Sequence, residues 1–232
     1  AALNVECSAD VPAPGNLGWT DNCDGTGTVL GTDVSDGLTC PETITRTWTY
    51  TDACGNPATV TQTITVEDVT NPVFDAPPAD VTVECVGDVP APSDLDWTDN
   101  CDGNGTVTST DGPIVGGNCG GTITRTWTYT DACGNPATET QIITINDTQN
   151  PVFAAPPANL TVECIGDVPA PGNLAWTDNC DGAGDVLGTD VSDGLSCPET
   201  ITRTWTYTDA CGNPATVTQT ITVNDVTNPT AS

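Results

Sequence analysis

Twelve cysteines recur along this chain at nearly constant spacing, and that spacing limits the available folds more than any other feature. Equivalent cysteines are 78 or 79 residues apart, so the sequence is three tandem repeats of four cysteines each. None lies in a metal-type Cys-x-x-Cys pair, which predicts two disulfides per repeat and an oxidising, extracellular compartment. The twelve are Cys7, Cys23, Cys40 and Cys54, then Cys85, Cys101, Cys119 and Cys133, then Cys164, Cys180, Cys197 and Cys211.

The repeats meet at two short seams, VEDVTNPVF (66–74) and INDTQNPVF (145–153). These seams predict three domains, at 1–71, 72–150 and 151–232. Repeats one and three are almost the same sequence, with 7 differences in 68 positions between Val5–Pro72 and Val162–Pro229, whereas repeat two diverges. The first and last residues fall partway through the pattern, which predicts a segment of a longer secreted array.

Alternating threonines predict β-strands throughout each repeat. The segments TITRTWTYTD (43–52) and ATVTQTITV (58–66) alternate strictly and are joined by the turn residues ACGNP, so we expect an antiparallel pair. One face of this pair carries threonines and is expected to be solvated. With about seven short strands per repeat, the sequence predicts an all-β fold of small two-sheet sandwiches. The other face of the first strand carries Ile44, Arg46, Trp48 and Tyr50.

The strand order suggests how the cysteines pair. Cys7 ends the first strand at one pole of the sandwich, and Cys23 lies at the opposite pole after the returning strand. Cys40 and Cys54 bracket the long strand and are also at opposite poles. This favours Cys7–Cys40 and Cys23–Cys54 among three connectivities, with sequential pairing beginning at Cys7–Cys23 as the main alternative. Such bonds would compensate for a thin hydrophobic core.

The charge balance excludes several function classes. The chain has 32 acidic residues, three arginines, no lysine and no histidine, and its formal net charge is −29. Nucleophilic systems that need histidine, Schiff-base lysines and P-loops are therefore absent. Binding to nucleic acid needs clustered Lys or Arg, and no segment is long and apolar enough to insert into a membrane. Three near-copies of one unit also argue against a single active site, so we predict a non-enzymatic protein.

The run WTDNCDG, followed by TITRTWTYTDACGNPATVTQTITVED, resembles the hyalin-repeat (HYR-like) family in its four-cysteine form. The resemblance covers all three repeats, and the TDNC and TDACGN motifs are fairly specific to it. It implies an immunoglobulin-like sandwich on large, secreted, repetitive surface proteins of bacteria, with roles in adhesion or spacing. It implies no enzymatic activity.

Acidic and amide side chains cluster in the loops and seams. Calcium takes six to eight oxygen ligands from such groups, and calcium in linkers stiffens tandem extracellular domains. The sequence therefore suggests calcium at the seams, while the alternative is that these side chains cap turns and keep the surface solvated. The candidate ligands are Asp21, Asp24, Asp52, Asp68, Asn71, Asp147 and Asn150.

Each repeat has a single cation, which alternation places on the inward face of the long strand. A guanidinium there must be paired, and the glutamate beside the first cysteine of each repeat is the natural partner. The predicted pairs are Arg46 with Glu6, Arg125 with Glu84, and Arg203 with Glu163.

The predicted function is a rigid, disulfide-stapled spacer in a bacterial surface filament or adhesin stalk, with copies of itself as partners in an end-to-end fibril. The alternative is an adhesive module that binds glycans through tryptophans such as Trp19. The threonine rows also suit ice binding and O-glycosylation, although solvated strands commonly carry threonine.

Overall fold

The computed structural model describes residues 2–230, and these residues are almost entirely β-strand and turn. The first repeat has six strands and a short 3₁₀ turn at Ser8–Asp10 after β1. Its strands are β1 (Leu3–Val5), β2 (Asn16–Asp21), β3 (Gly25–Leu30), β4 (Thr32–Ser35), β5 (Glu42–Thr51) and β6 (Pro57–Val66).

The second repeat begins with a two-residue strand from the seam, and its 3₁₀ turn spans Val86–Asp88. Its strands are β7 (Val73–Phe74), β8 (Val81–Val83), β9 (Asp94–Asp99), β10 (Gly103–Thr108), β11 (Thr110–Asp111), β12 (Cys119–Thr130) and β13 (Pro136–Asn146).

The third repeat follows the same plan, with its 3₁₀ turn at Ile165–Asp167. Its strands are β14 (Val152–Phe153), β15 (Leu160–Val162), β16 (Asn173–Asp178), β17 (Gly182–Leu187), β18 (Thr189–Ser192), β19 (Glu199–Thr208) and β20 (Pro214–Val223).

Each repeat contains two sheets. The larger has four strands in the orders β1-β6-β5-β4, β8-β13-β12-β11 and β15-β20-β19-β18, and its first strand pairs parallel to its neighbour. The smaller is β2-β3 in the first repeat, but β7-β9-β10 and β14-β16-β17 in the other two, because the seam strand joins the sheet there. The predicted all-β, immunoglobulin-like sandwich is confirmed in all three repeats.

The predicted antiparallel pair is confirmed, with its two faces assigned correctly. In β5 and β6, threonine lies opposite threonine at four successive outward positions, from Thr43–Thr65 to Thr49–Thr59. Ile44 faces Ile64 on the inner side, and Arg46 faces Gln62. The same register recurs between β19 and β20. The alternation works because side chains along a strand point to opposite faces of the sheet.

The core is small and repeats with the sequence. In the third repeat, Ile201, Ile221 and Val223 are buried against Leu160, Val162 and Val168. Two tryptophans of the long strands, Trp127 and Trp205, are among the largest fully or almost fully buried side chains, as expected for core residues.

The described chain falls into two compact units that do not follow the three repeats. Among the described residues, the first unit comprises 2–78, Pro92–Asp111 and Arg125–Gln141, and the second comprises Ala79–Ala91, Gly112–Thr124 and 142–230. Each unit therefore holds one whole outer repeat and part of the middle one. The three-domain division at 1–71, 72–150 and 151–232 stays a prediction.

Candidate junction site between consecutive repeats

Four disulfides join consecutive repeats instead of closing within one. The first unit contains Cys7–Cys101 and Cys40–Cys133, and the second contains Cys85–Cys180 and Cys119–Cys211. Their Cα–Cα distances are 5.2–5.3 Å, within the normal range for a disulfide. In each junction, the first cysteine of one repeat bonds the second cysteine of the next, and the third bonds the fourth.

The predicted pairing within repeats, Cys7–Cys40 and Cys23–Cys54, is wrong. The prediction treated each sandwich as a closed unit, whereas the short seam brings Cys7 and Cys40 to cysteines of the following repeat. The bonded cysteines are 92–95 residues apart in sequence. A first bond closing so long a loop contributes about 4–5 kcal/mol in the chain-entropy model, more than the 30-residue loops that were expected.

A carboxylate pair lies beside one disulfide of each junction. Asp68 and Asp99 lie together next to Cys101, and Asp147 and Asp178 lie together next to Cys180, with the three potential ligand atoms in each group within 4.8 Å of one another. The sulfurs are in disulfides, so they are not thiolate ligands. The oxygens of the two carboxylates are therefore what each site offers to a cation.

The second junction contains carboxylate oxygens that lack a partner. Asp147 is only 5% exposed, and its Oδ2 accepts no hydrogen bond from any described residue. The Oδ2 atoms of Asp178, and of Asp99 in the first junction, are buried in the same way. Burying a carboxylate oxygen without a partner is costly, so two carboxylates that each hold such an oxygen, lying side by side, fit a hard cation such as Ca²⁺.

Asparagines tie the two repeats together around these acids. Asn100 donates from Nδ2 to Glu6 Oε2 at 2.8 Å, and Asn135 donates to the Asp68 carbonyl at 3.0 Å. In the second junction, Asn213 donates to the Asp147 carbonyl at 3.2 Å and Asn179 to Asp147 Oδ1 at 3.3 Å. Each bond joins residues from consecutive repeats.

Three predicted metal ligands of the first repeat accept hydrogen bonds within that repeat, and two of them, Asp21 and Asp52, cap turns. Asp21 accepts the backbone N–H groups of Cys23 and Asp24 at 2.8 Å, and these bonds lower its pKa. The side chain and backbone of Asn56 lower the pKa of Asp52 in the same way. Asp24 accepts the hydroxyl of Tyr50 at 2.9 Å. The bonds of Asp21 and Asp52 fit the alternative interpretation, in which the acids cap turns.

The remaining predicted ligands lie at the seams. Asp68 and Asp147 are in the carboxylate pairs, whereas Asn71 lines a surface cleft with Pro136 and Glu139, and Asn150 lines one with Pro214. The second member of each pair, Asp99 or Asp178, was not among the predicted ligands. Both occupy the position of Asp21 in their own repeats, which is the signal that could have found them.

The predicted Arg–Glu pairs are wrong, although all three arginines are buried and paired. Each guanidinium makes a two-point contact with an aspartate of the neighbouring strand, with Nε–Oδ1 distances of 2.6–2.7 Å. The aspartate lies directly opposite the arginine in the antiparallel ladder, so the two side chains are adjacent. The arginine lowers the pKa of its aspartate. The pairs are Arg46–Asp33, Arg125–Asp111 and Arg203–Asp190.

The glutamates have other partners at the seams. Glu6 accepts the hydroxyl of Thr70 at 2.7 Å, Glu84 accepts that of Thr148 at 3.0 Å, and Glu163 accepts that of Thr227 at 2.9 Å. Each bond fastens the first strand of a repeat to the segment that follows the repeat. For the third repeat that segment is VNDVTNP (223–229), which corresponds to the two seams and is called the third seam.

The tryptophans proposed for glycan binding are packed on both faces. Trp19 stacks on Tyr50 with ring centroids 3.6 Å apart, and a Cβ at Gly27 would lie 2.5 Å from its ring. Gly27 is directly opposite Trp19 in the β2–β3 ladder, so the indole lies over the glycine. Trp97 and Trp176 are held in the same way. This packing leaves little ring face for a sugar, and glycan binding stays a prediction.

The fold and its junctions define a class of protein: tandem β-sandwiches with two disulfides between each repeat and the next. A model of the HYR-like domain with 4 cysteines matches residues 1–66, 73–145 and 152–223, so the chain belongs to that family. Among the described residues, no helix is long and apolar enough to cross a membrane.

Two curated relatives are similar over most of this chain. Hyalin from Lytechinus variegatus is 34% identical over 208 residues, covering 80% of this chain and 38% of that protein. Hyalin from Strongylocentrotus purpuratus is 30% identical over 201 residues, covering 79% of this chain and 16% of that protein. The chain thus spans less than half the length of either. With its disulfides, this family membership makes the chain an extracellular repeat protein of structural or adhesive type. A bacterial origin stays a prediction.

Proposed function

We propose that this chain is a non-enzymatic, load-bearing segment of an extracellular filament or adhesin stalk, in which successive sandwiches are chained covalently. The observation that carries the proposal is the pair of disulfides at each junction. Bonds that bypass the seam between repeats carry a pulling force from one repeat to the next, which a load-bearing chain needs and a catalytic or ligand-binding module does not.

The disulfide arrangement shortens the covalent path through the chain. A pulling force passes from Cys7 to Cys101, along the backbone to Cys119, and then to Cys211. Only about 50 of the 232 residues lie on this path. The fully stretched, oxidised chain would therefore be roughly 170 Å long at 3.3–3.6 Å per residue. If the disulfides paired within repeats, about 135 residues would lie on the shortest covalent path, and the stretched chain would be roughly 470 Å long.

Single-molecule stretching of the oxidised chain between its termini tests the proposal. We expect a maximal extension near the shorter value, rising severalfold once a reductant is added. An extension near the longer value would mean that each repeat is closed on itself, and the proposal would fall. The reduced protein is the matched control, since its sequence and termini are unchanged.

The carboxylate pairs suggest that calcium reinforces each junction. Asp68 with Asp99, and Asp147 with Asp178, would supply the charged oxygens. Calcium at a hundred times its dissociation constant would add about 2.7 kcal/mol to folding, or several degrees in melting temperature. We expect that rise in the wild type but not in the D68N/D147N variant. The variant E67Q, which removes an exposed acid nearby, is the control and should respond like the wild type. Equal responses in all three proteins would remove calcium from the proposal.

A further inference from the structure

Four cysteines take no part in the two junctions, and they fall into two complementary pairs. Cys23 and Cys54 in the first repeat, and Cys164 and Cys197 in the third, are exposed and without a disulfide. Cys23 and Cys54 are the second and fourth cysteines of their repeat, the positions that bond backward in both junctions. Cys164 and Cys197 are the first and third, the positions that bond forward.

We propose that two copies of this chain join head to tail through two disulfides, Cys164–Cys23 and Cys197–Cys54, and that further copies add in the same way. The proposal deepens the proposed function, on which it rests, by naming the partner and the chemistry. The partner is a second copy of this chain, since the first repeat carries the same junction residues as the second and third.

The backward-bonding pair is held as in a bonded repeat. Asp24 accepts the backbone N–H of Ala53 at 2.9 Å, which ties the Cys23 loop to the Cys54 loop. In the third repeat, whose Cys180 and Cys211 are bonded, Asp181 accepts the N–H of Ala210 at 2.8 Å. The two loops are therefore positioned before any partner arrives.

The forward-bonding pair is fastened to its seam as well. Glu163, next to Cys164, accepts the Thr227 hydroxyl, which corresponds to the bond between Glu6 and Thr70 beside the bonded Cys7. Cys197 Sγ lies 3.9 Å from the carbonyl oxygen of Asp225, the counterpart of Asp68.

The polar residues that join repeats are present on both halves of the proposed contact. Asn22 and Asn56 stand where Asn100 and Asn135 stand in the second repeat, and Asp21 stands where Asp99 does. They could therefore meet Glu163 and Asp225 as their counterparts meet Glu6 and Asp68.

The linkage is a balanced oxidation. Each new disulfide forms from two thiols, which lose two protons and two electrons. The electrons go to a small-molecule disulfide such as oxidised glutathione, whose S–S bond breaks to give two thiols. A junction of two bonds therefore consumes two molecules of that oxidant.

Two variants, each with one pair removed, test the proposal by mixing. C164S/C197S keeps only the backward-bonding pair, and C23S/C54S keeps only the forward-bonding pair. In a glutathione redox buffer, non-reducing electrophoresis should show a ladder for the wild type and monomer for each variant alone. The equimolar mixture should stop at dimer. Peptide mapping should find Cys164 joined to Cys23, and Cys197 to Cys54.

Other outcomes separate this proposal from the one it rests on. Dimers of either variant alone, or a Cys23–Cys54 bond within one molecule, would overturn head-to-tail linkage. So would a wild type that stays monomeric while its four internal disulfides map as described. If the internal bonds instead map within repeats, the proposed function itself fails.

Discussion

The first and third repeats have nearly the same sequence, yet their surroundings differ. Leu17 is 36% exposed, whereas its counterpart Leu174 is 9% exposed. In the third repeat the seam strand β14 pairs with β16, placing Phe153 opposite Trp176. The sheet β2-β3 has no such third strand among the described residues. Burial in a repeat therefore depends on the seam that precedes it as well as on its own sequence.

The cysteines differ in a complementary way. The first repeat bonds forward through Cys7 and Cys40, and the third bonds backward through Cys180 and Cys211. Identical positions are thus bonded in one repeat and reduced in the other. Because the sequences match, paired substitutions can separate the effect of the neighbour from the effect of the residue.

The largest contrast should come from the forward-bonding cysteines. C7S/C40S removes both bonds of the first junction, and we expect a loss of at least 4–5 kcal/mol in the free energy of unfolding. C164S/C197S alters the same repeat positions where no bond exists, and should stay within 0.5 kcal/mol. Denaturant unfolding of freshly purified monomer measures both. Similar losses would show that the cysteines act through packing.

Tryptophan truncation should give the next largest difference. Trp205 is 2% exposed and donates to the Gly172 carbonyl at 2.9 Å, whereas Trp48 is only partly buried and donates to Gly15 at 2.8 Å. Since the hydrogen bonds match, the comparison isolates burial. W205A should cost about 3–5 kcal/mol and W48A about half of that. Equal costs in thermal unfolding would mean that the first repeat is as well packed as the third.

Glycines under the stacked indoles should respond alike in the two repeats. A Cβ at Gly27 or Gly184 would lie 2.5–2.7 Å from the Trp19 or Trp176 ring. We expect G27A and G184A each to cost about 1–3 kcal/mol through overpacking. G15A, whose Cβ would meet nothing within 4 Å, is the control for the loss of backbone freedom. A tolerated G27A would show that the indole of the first repeat is free to move.

The smallest effect concerns acid stability. Arginine lowers the pKa of Asp33 and of Asp190 below 3.8, so the unfolded state binds protons first as the pH falls. The stabilisation is present above about pH 4 and is lost as the pH falls through the lower, folded pKa. D33N and D190N should each flatten the acid limb of melting temperature against pH, to the same extent. Unequal flattening would reveal a neighbour effect on these pairs.

The strands and the inner and outer faces were predictable because alternation is a local property of the sequence. The partner of Arg46 was not, since Asp33 reaches it through the register of β4 on β5, which no spacing in the sequence specifies. The predicted disulfide pairing was wrong for a related reason. The number of cysteines predicts the number of bonds. The pairing of Cys7 with Cys101, however, depends on how the seam arranges consecutive repeats, which cysteine spacing does not specify.

The overlap of the four disulfides has a consequence for survival among proteases. Every peptide bond between Cys7 and Cys211 is spanned by at least one disulfide, because each bridge begins before the previous one ends. A single cut anywhere in that stretch, including both seams, leaves the two fragments attached. The chain therefore stays in one covalent piece after any single cleavage between Cys7 and Cys211, unless every disulfide that spans the cut is also reduced.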